Sequence, residues 1–200
     1  QSMRDPLEQI YVRIFNQRST TPVMVVTDLS SSMNYGLKKS KLNLASEIAT
    51  VISNSATSKN DALGFIGFNE QTETQWWAPL SYRPHKTRLL INKLQKHNSK
   101  GSGHEGFKRV FRILPRDHTL IFLISDFHMP SKDIEYSLSR LTKHTIVPII
   151  LWNKSEYEDL PRFGIISVID PESGQEKTIF LRKKMLKNIK DQFKKRKGEL

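Results

Sequence analysis

Two aspartates and a pair of serines carry the most specific chemistry in this sequence. Residues 25–36 read VVTDLSSSMNYG, so Asp28 closes an apolar run and Ser30 and Ser32 follow it at alternate positions. Alternate residues of an extended or turning segment share a face, which lets Asp28, Ser30 and Ser32 converge on one point. A carboxylate and two hydroxyls are hard oxygen donors, suited to Mg2+, Mn2+ or Ca2+ rather than to zinc. A second apolar run, LIFLIS at 120–125, also leads into an aspartate, Asp126, which can add a second carboxylate. The competing reading is an Asp/Ser-rich turn that caps the following helix, a position such residues favour in any protein. The second strand-end aspartate is what tips the balance towards a metal site.

The elements around these residues alternate. PVMVVTD (22–28), DALGFIGFN (61–69), HTLIFLISD (118–126) and TIVPIILW (145–152) are short apolar runs with the length and β-branching of buried strands. TETQWWAPL (72–80) is expected to form a neighbouring strand. Pro148 suggests an interruption or an edge position for the 145–152 run. Helices are expected over 39–56, with Leu42, Leu44, Ala45, Ile48, Ala49, Val51 and Ile52 inward, and over 85–97, with Leu89, Leu90, Ile91 and Leu94 inward. A third is expected around Phe107, Val110, Phe111 and Leu114, and a fourth over 131–144 with Ser131 as its cap. Residues 164–181 read as two strands joined by a turn at Pro171–Gly174. Strand and helix in alternation imply right-handed crossovers and a mostly parallel sheet with helices on both faces, an α/β three-layer Rossmann-like architecture. Ligands of such sheets bind beyond the carboxyl ends of the strands, where both aspartates are expected.

The chain of 200 residues fits one domain, and its 37% hydrophobic and 26% charged content is that of a globular protein. It has no cysteine, which excludes disulfides and thiolate metal sites and suits a reducing compartment. The apolar runs are far shorter than the roughly 20 residues of a membrane span. Residues 1–3, QSM, read as the remnant of a cleaved tag, 4–181 as the domain, and 182–200 as a basic helix or tail. The net charge of +12 is concentrated there, since 182–197 hold nine Lys or Arg against one Asp. A solvated helix docked through Met185, Leu186, Ile189 and Phe193 explains this run, and an anionic membrane surface is the alternative partner. No aromatic platform or reading motif accompanies it, which argues against nucleic acid.

DLSSSM resembles the DxSxS signature of von Willebrand factor A domains, whose metal-ion-dependent adhesion site begins with that loop, and LISDF at 123–127 resembles the later strand that contributes an aspartate to it. With DLSSSMNYG, a following K…A in the helix, DALGFIGFN, PL, LISDF and DPESGQ, the chain looks most like the bacterial domain-of-unknown-function family fifty-eight, a branch of that superfamily, over roughly residues 22–175. The resemblance implies a von Willebrand A fold and a metal held by Asp28, Ser30, Ser32 and Asp126. It also implies a threonine on a middle, glycine-rich loop. That loop here is NSKGSGHEGF, without threonine, so Ser102 is assigned to the position, with Ser99 or Glu105 as alternatives. A further implication is a non-enzymatic role. A partner's acidic residue completes the coordination of Mg2+ (or Mn2+/Ca2+), beside a MoxR-type AAA+ ATPase in the bacterial cytoplasm, the parent protein being open to membrane association.

Three other chemistries are weighed against this. A metal-dependent phosphohydrolase could use Asp28 and Asp126, but haloacid-dehalogenase-type phosphatases need a second Asp where Ser30 stands. Gly101, Gly103 and Gly106 spell a GxGxxG, yet a helix rather than a strand is expected before them. A metal-free domain that binds anionic partners through its basic tail is the third. The six histidines show no zinc-site spacing, and His128 is expected at the rim of the site. Of the Trp76–Trp77 pair, one is expected in the core and the other facing outward.

Overall fold

The first strand, β1 (Val23–Asp28), is buried along its whole length and is hydrogen-bonded on both sides. Its apolar residues fill both faces, as a central parallel strand requires. β2 (Leu63–Phe68) runs parallel to it on one side and β4 (Leu120–Ser125) on the other. β3 (Trp77–Ser81) pairs antiparallel with β2, and β5 (Thr145–Ile150) pairs parallel with β4. The sheet order is therefore β3-β2-β1-β4-β5. The computed structural model describes residues 20–36, 39–70, 74–99, 101, 104–153, 164–169 and 176–181, with a few single positions between 188 and 198. The expectations for residues 1–3 and for the basic segment 182–200 thus lie almost wholly outside the described residues.

The period-two alternation of β1 divides the core. Val23 and Val25 pack with Leu42, Ala45 and Ala49 of α1 (Lys41–Ser58) and with Leu90, Ile91 and Leu94 of α2 (His85–Leu94). Met24 and Val26 pack with Phe107 and Val110 of α3 (His104–Val110) and Ile134 of α4 (Ser131–Ser139). Two helix layers thus enclose one sheet, the three layers expected from the alternation of elements. Small residues on the inner stripe of α1 bring that helix close to the sheet, and the Ser46 hydroxyl donates to the Ile91 carbonyl (2.8 Å), tying α1 to α2.

Several local expectations are corrected. Leu44, Val51 and Leu89 are exposed. At about 100° per residue they rotate off the inward stripe, and apolar content alone did not reveal the phase. α1 starts at Lys41 because the Ser40 hydroxyl accepts the Asn43 N–H (3.2 Å) as an N-cap. Ser131 is the first residue of α4 rather than its cap; Pro130 occupies the cap position with no side-chain bond. α2 stops at Leu94, and α3 stops at Val110, so Phe111 and Leu114 lie in the turns beyond it. Residues 74–76 form a short 3-10 turn that places buried Trp76 against Phe65 (ring centroids 6.5 Å apart), leaving the strand only from Trp77. Trp77 is half-buried, with the Lys86 ammonium over its ring.

Pro148 is tolerated because β5 has a described partner on one side only, with Leu123 as its register partner. β6 (Gly164–Ile169) and β7 (Glu176–Leu181) form a separate antiparallel pair, as their patterns suggested; the connecting residues 170–175 lie outside the described ones.

Candidate functional site

β1 and β4 are parallel neighbours in register, with Thr27 opposite Ile124, so their carboxyl ends deliver Asp28 and Asp126 to the same edge. Both aspartates are almost fully buried, as are Ser30 and Ser32. Asp28 organises the first loop: one carboxylate oxygen, Oδ1, accepts the Ser30 N–H (2.8 Å) and Oδ2 accepts the Ser125 hydroxyl (2.7 Å). The chain then turns through a short 3-10 segment, Ser31–Asn34, closed by the Met33 N–H on the Ser30 carbonyl. This turn sets the Ser30 and Ser32 hydroxyls 3.0 Å apart.

The second loop is shaped by an uncommon backbone. Phe127 has φ of 52°, the left-handed region that a bulky residue rarely adopts. It is held there by burial and by its N–H donating to the Ser125 hydroxyl (2.9 Å). One serine oxygen therefore bridges Asp28 and the second loop. The Asp126 carbonyl accepts the Trp152 indole N–H (2.8 Å), fixing that loop to the end of β5.

Asp126 is surrounded by donors. Lys41, the first residue of α1, places its Nζ 2.9 Å from Asp126 Oδ2, and the Lys41 and Asp126 side chains are 5% and 1% exposed. His128 lies at the rim, as expected, with its N–H on Asp126 Oδ1 (3.2 Å) and its Nδ1 3.2 Å from Oδ2. The two carboxyl groups are driven apart electrostatically. Burial and then the negative charge of Asp126 push Asp28 up to about 6, against the hydrogen bonds from Ser125 and Ser30 that pull it down. For Asp126 burial also acts upward, but the hydrogen bond and charge of His128 and the charge and hydrogen bond of Lys41 together outweigh it. They hold its carboxyl well below the usual range.

The third loop reaches the first. The Ser31 N–H and hydroxyl both donate to the Gly101 carbonyl (3.0 and 2.9 Å), and Asn34 and Ser99 exchange two hydrogen bonds (2.7 and 3.0 Å). Gly101 has φ of +77°, a left-handed backbone that favours glycine, and a Cβ there would also make the Glu70 side chain move aside. Gly106 lies inside α3 against the Asn69 carbonyl, and the segment before the glycines follows α2 rather than a strand, which is not the setting of a dinucleotide fingerprint. Ser102 lies outside the described residues. Ser99 is buried and its hydroxyl has no hydrogen-bond partner among the described residues. Glu105 is instead exposed and pairs with Lys108 (3.0 Å).

Among the described residues there is no cluster of three or more His, Cys, Asp or Glu that could hold a metal, so any cation here must rest on hydroxyls as well as carboxylates. The donors fit that role. Two cis ligands of an octahedral Mg2+ lie about 2.8–3.0 Å apart, a spacing that the hydrogen-bonded Ser30 and Ser32 hydroxyls, 3.0 Å apart, would keep on one ion. The orphaned Ser99 hydroxyl is a further oxygen on a loop bonded to theirs. Three participants were not anticipated. Ser125 was signalled only as the one polar residue closing an apolar run, and Trp152 by its place at the end of another; nothing in the local pattern marked Lys41 as facing the site.

No described helix is long and apolar enough to cross a membrane. The chain is similar to an uncharacterised protein in the moxR 3' region of Paracoccus denitrificans, 29% identical over 66 residues, which are 33% of this chain and 63% of that protein. The match thus spans less than two thirds of that relative's length. The fold of this chain is similar to that of the conserved hypothetical protein BatB from Bacteroides thetaiotaomicron, with a TM-score of 0.50 at 14% identity over 85% of this chain and 84% of that one. The family model described as "Protein of unknown function DUF58" matches residues 5–199, and the chain belongs to that family.

Proposed function

We propose that this chain is a partner-binding module of the von Willebrand A type, not an enzyme, whose working surface is the carboxyl end of the sheet. Ser30 and Ser32 would hold a divalent cation, Mg2+ or else Mn2+ or Ca2+, with Asp28 and Asp126 contributing directly or through water. Such an ion, ligated largely by neutral hydroxyls, stays electrophilic and supplies an attachment point for a Glu or Asp of the partner. Asp28 orients the first loop through the Ser30 N–H, Ser125 locks the two loops together, and His128 lines the entrance. The convergence of two strand-end aspartates on a hydroxyl pair 3.0 Å apart carries this reading.

The partner we favour is a MoxR-type AAA+ ATPase or its client, with the module as adaptor. Membership of the DUF58 family and the moxR-region setting of the Paracoccus relative support that choice. Calorimetric titration of Mg2+ and Mn2+ should give saturable binding that the Ser30→Ala/Ser32→Ala double variant abolishes. Capture of a purified MoxR-type ATPase should then be lost in EDTA and in the same variant. Phosphoester hydrolysis that disappears in Asp28→Asn would replace this reading with that of a metal-dependent phosphohydrolase.

A further inference from the structure

Lys41 is an unexpected occupant of the strand-end site. It opens α1, where the partial positive charge of the helix N-terminus disfavours a cation. It is also buried, which strips the ammonium of water. Both effects oppose its placement. The attraction that overcomes them comes from Asp126, whose Oδ2 lies 2.9 Å from Nζ, with the Asp28 carboxyl as its acidic neighbour. Two carboxylates brought together in a buried pocket need a positive charge. The chain brings its own, on a flexible four-carbon stem.

We propose that Lys41 is a tethered cation that competes with the divalent ion for Asp126, so that ion binding requires the lysine side chain to leave the site. This rests on the metal-site reading above and adds its control. With Lys41 in place, an incoming dication would bring the site to three positive charges against two carboxylates. With Lys41 withdrawn, the charges of ion and carboxylates balance. The lysine thereby keeps the resting site closed and sets the ion's affinity low, and a departing Lys41 can meet an acidic partner at the rim.

The test compares Mg2+ titrations of the full chain with those of Lys41→Met and Lys41→Gln, the glutamine retaining a donor for Asp126. Both variants should bind Mg2+ on the order of tenfold more tightly than the parent, the direction expected when a like charge beside the ion is removed. Adding Ser30→Ala/Ser32→Ala to Lys41→Gln should erase the gain, locating it at this site. In the unaltered chain, Lys41 should resist a limiting dose of an amine-acylating reagent, mapped by mass spectrometry, while exposed Lys39 reacts. It should become reactive at saturating Mg2+. Parent and lysine variants binding equally, with binding still lost in the serine variant, overturns the competition and leaves the metal site standing. Absence of binding in every form overturns both. Should the substitutions prevent folding, acylation decides: protection of Lys41 that persists at saturating Mg2+ overturns the proposal.

Discussion

Two lysine–aspartate pairs in this molecule have almost the same length and very different settings. Lys41 and Asp126 meet at 2.9 Å at the end of the sheet, with side chains 5% and 1% exposed. Lys108 and Asp133 meet at 3.0 Å in the groove between α3 and α4, with side chains 29% and 20% exposed. The groove, a cavity of about 550 Å3 lined also by Arg109, Arg112 and Lys132, offers water and other charges to either partner. The buried pair has lost that escape. Distance alone therefore ranks these interactions as equals, while the surroundings make loss of one partner costly in the buried pair and cheap in the groove.

The largest expected effect breaks the buried pair from one side. Lys41→Met leaves the buried Asp126 carboxylate with only its His128 contacts and should lower unfolding free energy in urea by about 3–5 kcal/mol. Lys41→Met/Asp126→Asn should recover most of that loss; a double variant as unstable as the single one would show that the lysine acts by packing.

Next in size is a pH effect peculiar to the site. Asp28 keeps its proton to about pH 6 in the folded chain, against an ordinary value of 3.8. The folded state thus binds this proton more tightly than the unfolded one. The resulting stability is complete below pH 3.8 and is lost as pH rises through 6. The amount is on the order of 2–3 kcal/mol. Asp126 runs in the opposite sense, its contribution present above 3.8 and lost as pH falls below it. Urea midpoints taken between pH 4 and 7 should fall across that window in the parent chain, and Asp28→Asn should flatten the slope.

Ser125→Ala removes the hydroxyl that serves both Asp28 and Phe127 and should cost about 1–3 kcal/mol, read from the same urea transitions. Smallest of all is Lys108→Met, which should leave the thermal midpoint where it was. A clear drop would mean that the fold depends on the groove as heavily as on the strand-end site, and the contrast between the two regions would collapse.

The same contrast explains what could be read in advance. The strands, the two helix layers and the convergence of Asp28 with Asp126 follow from local patterns, because buried parallel strands are continuous apolar runs and their ends are marked by polar residues. Ser30 and Ser32 were legible for the same reason. The inward turn of Lys41 was not, since it stands in GLKKSKLN among other lysines, and which of them faces the site depends on where Ser40 caps the helix. The left-handed turn at Phe127 was hidden, because Asp126 marks where the strand ends while nothing in LISDF signals a positive φ at the next residue. Helix phase misled at Leu44, Val51 and Leu89, where an apolar residue faces solvent.

The doubly engaged Ser125 hydroxyl has a consequence for how the molecule breathes. Three backbone amides on two loops end on side chains of the site: Ser30 on Asp28, Phe127 on Ser125 and His128 on Asp126. Because Ser125 also donates to Asp28, neither loop can open without loosening the other. Their amide protons should therefore exchange with solvent deuterium as one cooperative unit. Their shared exchange rate would report on the integrity of the strand ends directly, without any assay of binding.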